Sequence, residues 1–153
     1  MQECTCTDYE IRRYRNRISQ PLLDRMDLCV KVEKVSYQEI YGKTKEESSQ
    51  AIRKRVMLAH RIQKERYKKQ EFSYNSQIPA KEIEIFCALT GNEKKHMQQI
   101  YETLNLSVRS YHKILKTART IADIEQSEEI RMEHLHEAVC YRSIDSSFWE
   151  RRL

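Results

Sequence analysis

Two glycines, Gly42 and Gly91, and two prolines, Pro21 and Pro79, are all that 153 residues contain. Phosphate-cradling loops, tight hairpins and doubly wound sheets use glycine wherever the backbone must turn with positive φ or approach another group closely. A chain so poor in glycine is expected to be mainly α, with helices joined by short polar turns. Hydrophobic residues make up 39% and charged residues 33%, which suits one modest core under an extensive polar surface. The net charge of +5 is compatible with a nucleic-acid partner without requiring one. No run of about 18 apolar residues exists, so no membrane span is expected. The first residues, Met1 to Cys6, lack the basic-then-apolar order of a signal peptide. Five cysteines, an odd count without disulfide-framework spacing, point to a reducing cytoplasm.

The punctuation along the chain predicts its elements. Thr7 followed by Glu10 has the form of a capping box opening a short basic helix, which Ser19-Gln20-Pro21 stops. Pro21 suits the first position of a further turn, Leu22 to Met26. Asp27 to Val35 alternates apolar and polar residues and reads as a strand. A single strand has no ladder partner, so residues 1–35 are expected to be the tail of an α/β domain whose other strands lie elsewhere. From Ser36 the chain reads as helical. A helix is expected from Thr44 to about Gln70, with Ile52, Val56, Ala59 and Ile62 inward. A short one follows Pro79, with Ile83, Phe86 and Cys87, and a third follows Thr90-Gly91, with Met97, Ile100, Tyr101 and Leu104. Ser107 caps a fourth, striped by Val108, Tyr111, Leu115, Ala118, Ile121 and Ala122. The last helix is expected from about Met132 to Tyr141, burying Leu135, Ala138 and Val139, before a fraying tail over 143–153.

Two strings carry chemistry. In the first, Ser19-Gln20-Pro21-Leu22-Leu23-Asp24-Arg25-Met26-Asp27-Leu28, an arginine stands on a short turn at a domain edge. Leu22 and Leu23 are expected to anchor it and Asp24 or Asp27 to orient the guanidinium. Such an arginine can reach a neighbouring subunit's γ-phosphate, a contact worth roughly 10³–10⁵ in rate in nucleoside triphosphatases; the plainer alternative is a helix–strand connection with a surface ion pair. In the second string, Leu106 to Asp123, Arg109 lies in the first turn of a capped helix, where the dipole disfavours a cation. That local conflict asks for a functional reason.

Residues 13–32, RYRNRISQPLLDRMDLCVKV, closely resemble the R-Y-x-x-R-I-S-G-P-L-L-D-R-I-D-L segment of the ComM/YifB proteins, magnesium-chelatase-like AAA+ ATPases. Residues 106–123 are similar to that family's L-S-x-R-x-Y-x-R-I-L-x-V-A-R-T-I-A-D-L, and the ending from Ile130 to Arg142 matches as well. Gln20 departs from the family's glycine but leaves the arginine's spacing intact. The resemblance implies a C-terminal piece: a helix-turn-strand remnant of the ATPase core over 1–35, then a helical-bundle lid over 36–142. It makes Arg25 an arginine finger acting in trans and Arg109 the sensor 2 arginine that contacts nucleotide. Arg119 matches a second family arginine of lesser expected role. It implies ATP and Mg2+ in the full-length protein, the chain's own ATPase core and neighbouring subunits of a homo-oligomeric ring as partners, and DNA as substrate of a branch-migration motor. The rivals are the ATPase subunit of magnesium chelatase, from whose Phe-Gly the Met26-Asp27 pair departs, and a stand-alone helical interaction module.

The remaining features are weighed against plain packing. Cys4 and Cys6 could supply at most half of a four-ligand zinc site; no metal is expected in this chain, and the pair is expected to be free or oxidation-prone thiols. Cys29, Cys87 and Cys140 fall on apolar faces and are expected to be buried. A basic run, Arg53, Lys54, Arg55, Arg61, Lys64, Arg66, Lys68 and Lys69, reads first as a solvated helix face and second as a phosphate track or a subunit contact. The histidines show no ligand spacing, and His134 and His136 point apart on a helix. The chain has neither a G-x-x-x-x-G-K-[ST] loop nor an acidic Walker B strand, so it is not expected to bind or hydrolyse ATP by itself.

Overall fold

The computed structural model describes residues 5–30, 32, 34–42 and 47–149, with the side chains of 15, 20, 39 and 143–149 left aside. Cys4, the residues Lys31 and Glu33 of the expected strand, the expected helix start at Thr44 and the tail from 150 onward lie outside them.

Helix α1 (Asp8–Arg15) begins at the anticipated box: the Thr7 hydroxyl accepts from the Glu10 amide at 3.3 Å, and the Glu10 carboxylate accepts from the Thr7 amide at 2.8 Å. The hydrogen bond donated by the Thr7 amide holds the Glu10 carboxyl pKa below its ordinary value. A short α2 (Gln20–Leu23) and α3 (Tyr37–Tyr41) precede α4 (Ser49–Arg66), whose Ser48 cap accepts from the Ala51 amide. Two 3-10 turns, Asn75–Gln77 and Ala80–Glu82, lead to α5 (Ile83–Phe86). Then come α6 (Gly91–Thr103), α7 (Val108–Ile124) and α8 (Met132–Trp149). The chain is mainly α, and no strand forms among the described residues. Leu28, Val30 and Val32 of the expected strand are instead exposed and belong to no helix or strand; a strand without a ladder partner is not stable.

Two helix ends explain how so little glycine suffices. Asn105 (φ 45) and Gln126 (φ 59) take the left-handed position after α6 and α7. The following amides close back on the helices, Leu106 N–H to Tyr101 O at 3.1 Å and Ser127 N–H to Ala122 O at 2.8 Å. These are glycine-type helix terminations made with polar side chains.

Helix α7 is the axis of the bundle. It packs along α8, against the C-terminal half of α4, and against α5 and the Asn75–Gln77 turn. Ile114, Leu115, Ala118 and Ala122 bury completely or nearly so, facing Leu135 and Ala138 of α8, with Tyr67, Ile78, Ile83 and Met97 closing the same core. Tyr67, Phe72 and Phe86 contact one another at tilted and edge-on angles, the arrangement ring quadrupoles favour.

Several burial expectations are corrected. Ile52 and Val56 are 43% and 41% exposed, because the first turns of α4 stand off the bundle; only Ala59 and Gln63 of that helix are buried. Val108, in the first turn of α7, is exposed, as is Leu104. Cys87 is buried as expected, but Cys29 is half-buried and Cys140 exposed. Helix α8 runs on to Trp149, past the expected end at Tyr141.

Candidate functional site

Arg25 stands in the turn that follows α2. Leu23 is buried and anchors that turn, whereas Leu22 is 46% exposed. The guanidinium is not oriented by either neighbouring aspartate. It donates to the Pro21 carbonyl at 2.8 Å, one helical turn back, and is otherwise open to solvent. Asp24 and Asp27 turn the other way. Asp24 lies 3.5 Å from the Ser110 hydroxyl and 3.9 Å from the Arg142 guanidinium, and Asp27 pairs with Lys113 at 2.9 Å.

The carbonyls of the turn face the same direction. Lys113 donates to Arg25 O at 2.5 Å and to Met26 O at 2.9 Å, and Arg142 donates to Met26 O at 2.5 Å. Beyond them the Cys29 amide donates to the Tyr141 carbonyl at 2.9 Å. The arginine turn is therefore seated on the N-terminal half of α7 and the middle of α8. Ser110, Lys113 and Arg142 were not singled out by sequence reasoning. The available signal was that Arg142 closes the string Ile130 to Arg142, and that Ser110 and Lys113 fall in the string containing Arg109.

Arg109 immediately precedes Ser110. The Ser107 cap accepts from the Ser110 amide at 3.1 Å, so Arg109 occupies the second helical position. It is exposed, and its side chain makes no hydrogen bond or ion pair among the described residues. Both candidate arginines thus present guanidinium groups outward from one docked unit. Two such groups can neutralise phosphate oxygens by charge-assisted hydrogen bonds.

Arg119 has a different setting. It is buried, donates to Asp123 at 3.2 Å, and reaches the carbonyls of Ser127 and Glu128 at 2.6 and 2.8 Å, stapling the turn between α7 and α8. Burial lowers its pKa, opposed by the charge of Asp123. Arg66 holds the other side of Asp123. Burial pulls its pKa down, but hydrogen bonding and charge from Asp123 outweigh that and raise it.

Apart from Lys69, which is exposed beyond the end of α4, the basic run divides into two groups. Arg55 pairs with Glu47 and Arg66 with Asp123, while Lys68 pairs with Glu65. Arg53, Lys54, Arg61 and Lys64 fall within about 100° of arc on α4, opposite its buried face, exposed and without an ion pair among the described residues.

No group of three metal-ligand side chains occurs among the described residues. Cys6 is exposed, and its expected partner Cys4 lies outside them. His134 is buried: its Nδ1 accepts from the Arg131 amide, so Nε2 carries the proton and donates to Glu125. His136 points away from it and meets His96 of α6, Nε2 to Nε2 at 2.7 Å. No described helix is long and apolar enough to cross a membrane.

Comparison with known proteins places these features in a family. The magnesium chelatase subunit ChlI C-terminal family matches residues 46–142, and the magnesium chelatase subunit ChlI family matches residues 1–40. The chain is 39% identical to the uncharacterized protein YifB of Salmonella typhimurium and 40% identical to that of Escherichia coli, each over 92% of this chain and 27% of the relative. It is 38% identical to the competence protein ComM of Haemophilus influenzae over 88% of this chain and 26% of that protein. The chain thus spans about a quarter of the length of the curated relatives it matches. With the helical bundle, the 46–142 match and these identities in agreement, the chain belongs to the magnesium chelatase ChlI C-terminal family of AAA+ proteins, on its ComM/YifB branch.

Proposed function

We propose that this chain is the lid and arginine-finger portion of a ring-forming AAA+ ATPase, a ComM-like motor that drives DNA branch migration. In this reading Arg25 reaches the triphosphate held by a neighbouring subunit, and Arg109 contacts nucleotide as the sensor 2 arginine. ATP with Mg2+ supplies the phosphoryl-transfer energy, held by a nucleotide-binding core that this chain does not contain. This chain's own residues supply positive charge and its placement. Catalysis of phosphoryl transfer rests largely on such positioning and charge stabilisation.

The observation that supports the reading is the outward presentation of both guanidiniums from one seated unit. Arg25 has only a turn-internal carbonyl as partner, and Arg109 has no described partner. Structural arginines in the same bundle behave otherwise, as the buried Arg119 and Arg142 show. The match to families named for magnesium chelatase favours a second reading, the ATPase subunit of that enzyme. The 38–40% identity to YifB and ComM favours the first.

The test is ATP turnover by the full-length protein with and without DNA. Arg25→Ala is expected to keep ATP affinity and lose turnover by about 10³-fold. Arg109→Ala is expected to lose both affinity and turnover. Wild-type turnover in Arg25→Ala removes the finger assignment.

A further inference from the structure

We propose that Lys113 and Arg142 are positioning residues that lock the Arg25 turn to helix α7, so that Arg25 and Arg109 move as one body. The inference rests on the reading of Arg25 as a finger and adds what controls its placement.

The lock holds the backbone of the turn rather than the arginine's side chain. The consecutive carbonyls of Arg25 and Met26 both accept from Lys113, and Met26 O also accepts from Arg142 at 2.5 Å. The same guanidinium donates to the Ser110 hydroxyl at 3.0 Å, one residue after Arg109. One planar fork therefore spans the two strings, joining positions 116 residues apart in sequence on one prong and 32 on the other. Asp24 faces this fork and Asp27 pairs with Lys113. The four residues from Asp24 to Asp27 thus each offer a side chain or carbonyl to the bundle, while the Arg25 guanidinium points away from it.

The choice of residues fits orientation better than simple adhesion. The Arg142 side chain is 5% exposed, and burying a guanidinium incurs a desolvation penalty that an apolar residue avoids. An apolar contact would hold the turn at a similar distance but leave its rotation loose. A fork bonded to a carbonyl on one prong and a hydroxyl on the other fixes direction as well.

A rigid link makes coupling reciprocal. Rotation of α7 that brings Arg109 to nucleotide carries Arg25 with it, and capture of Arg25 by a neighbour's triphosphate biases the lid by the same free energy. Neighbouring ATP sites in a ring would then communicate through Lys113 and Arg142.

The experiment compares full-length wild type, Lys113→Met, Arg142→Lys and Arg25→Ala. Amide exchange at Cys29, whose N–H is held by Tyr141 O, reports whether the turn stays seated; steady-state ATP hydrolysis reports kcat, KM and cooperativity. Lys113 is partly exposed and lies outside the apolar core, so its replacement leaves the fold standing. Lys113→Met is expected to exchange faster at Cys29, to lose kcat by about 10²-fold, the scale of a small misplacement, with KM little changed, and to lose cooperativity. Arg142→Lys keeps the charge and places its donors on a single nitrogen, without the planar fork, and is expected to fall between wild type and Lys113→Met on all readouts. Faster exchange at Cys29 with wild-type kcat and cooperativity, beside an inactive Arg25→Ala, overturns the coupling and leaves the finger standing. Undisturbed exchange and turnover in Lys113→Met overturns the lock itself. Normal turnover in Arg25→Ala overturns the finger reading and this inference with it.

Discussion

The Asp123 carboxylate, with no exposed surface, takes both ends of the Arg66 guanidinium at 2.5 and 2.9 Å, joining α7 to α4 across 57 residues of sequence. Arg119 and the Asn75 amide supply further donors, the latter at 2.8 Å, and the Tyr67 hydroxyl donates to Asn75 at 2.5 Å. Buried side-chain polar atoms without a partner are absent among the described residues.

Removing the hub of that network leaves two guanidiniums facing each other. Arg119 is almost fully buried. Asp123→Ala is expected to cost about 3–5 kcal/mol of stability, the scale for breaking a buried ion pair from one side. Urea unfolding of the 153-residue chain measures it; a loss below about 1 kcal/mol would show that the network is not what fastens α4 to α7.

A second expectation concerns alkaline pH. Burial pushes the Cys87 thiol from its ordinary 9.0 up to about 11. The folded state thus holds this proton more tightly than the unfolded chain does. Its contribution to stability is complete below pH 9 and is lost as pH rises towards 11. Unfolding midpoints across that window should fall more steeply for the wild type than for Cys87→Ala, and parallel curves would contradict the assignment.

Much of the fold was legible because capping chemistry is local. Thr7 and Ser107 each cap a helix through their hydroxyls as expected, whereas the Ser48 cap of α4 was not anticipated, that helix being expected from Thr44. The stripe on α7 identified that helix's buried Leu115, Ala118, Ile121 and Ala122 but passed over Ile114. Local periodicity could not show that Ile52 and Val56 lie on turns of α4 extending past their partner helix. Composition could not show that α8 continues to Trp149 either. At the site, the sequence strings marked Arg25 and Arg109, but Asp24 and Asp27 were expected to serve the Arg25 guanidinium. They serve Ser110, Arg142 and Lys113 instead, in contacts separated by more than 80 residues. Long-range polar pairing of this kind leaves no periodic trace in a single sequence.

The unpaired arc of α4 gives a prediction about polyanions. Arg53, Lys54, Arg61 and Lys64 share one exposed face, while the cations beside them on that helix, Arg55 and Arg66, already hold carboxylates. If the face follows a DNA backbone, Arg61→Ala with Lys64→Ala should lower the slope of log affinity against log salt by about 2, close to one unit for each phosphate left without its cation. An unchanged slope marks the face as merely solvated.

The action of Arg25 across a subunit boundary is best tested by mixing. Full-length Arg25→Ala is combined with a full-length variant whose nucleotide-binding loop is disabled, each inactive alone, and ATP hydrolysis is followed as the ratio changes. Rings with an intact loop beside an intact Arg25 should regain turnover, greatest near equal proportions. Mixtures that stay inactive at every ratio, while subunit exchange is demonstrated, would contradict a finger acting in trans.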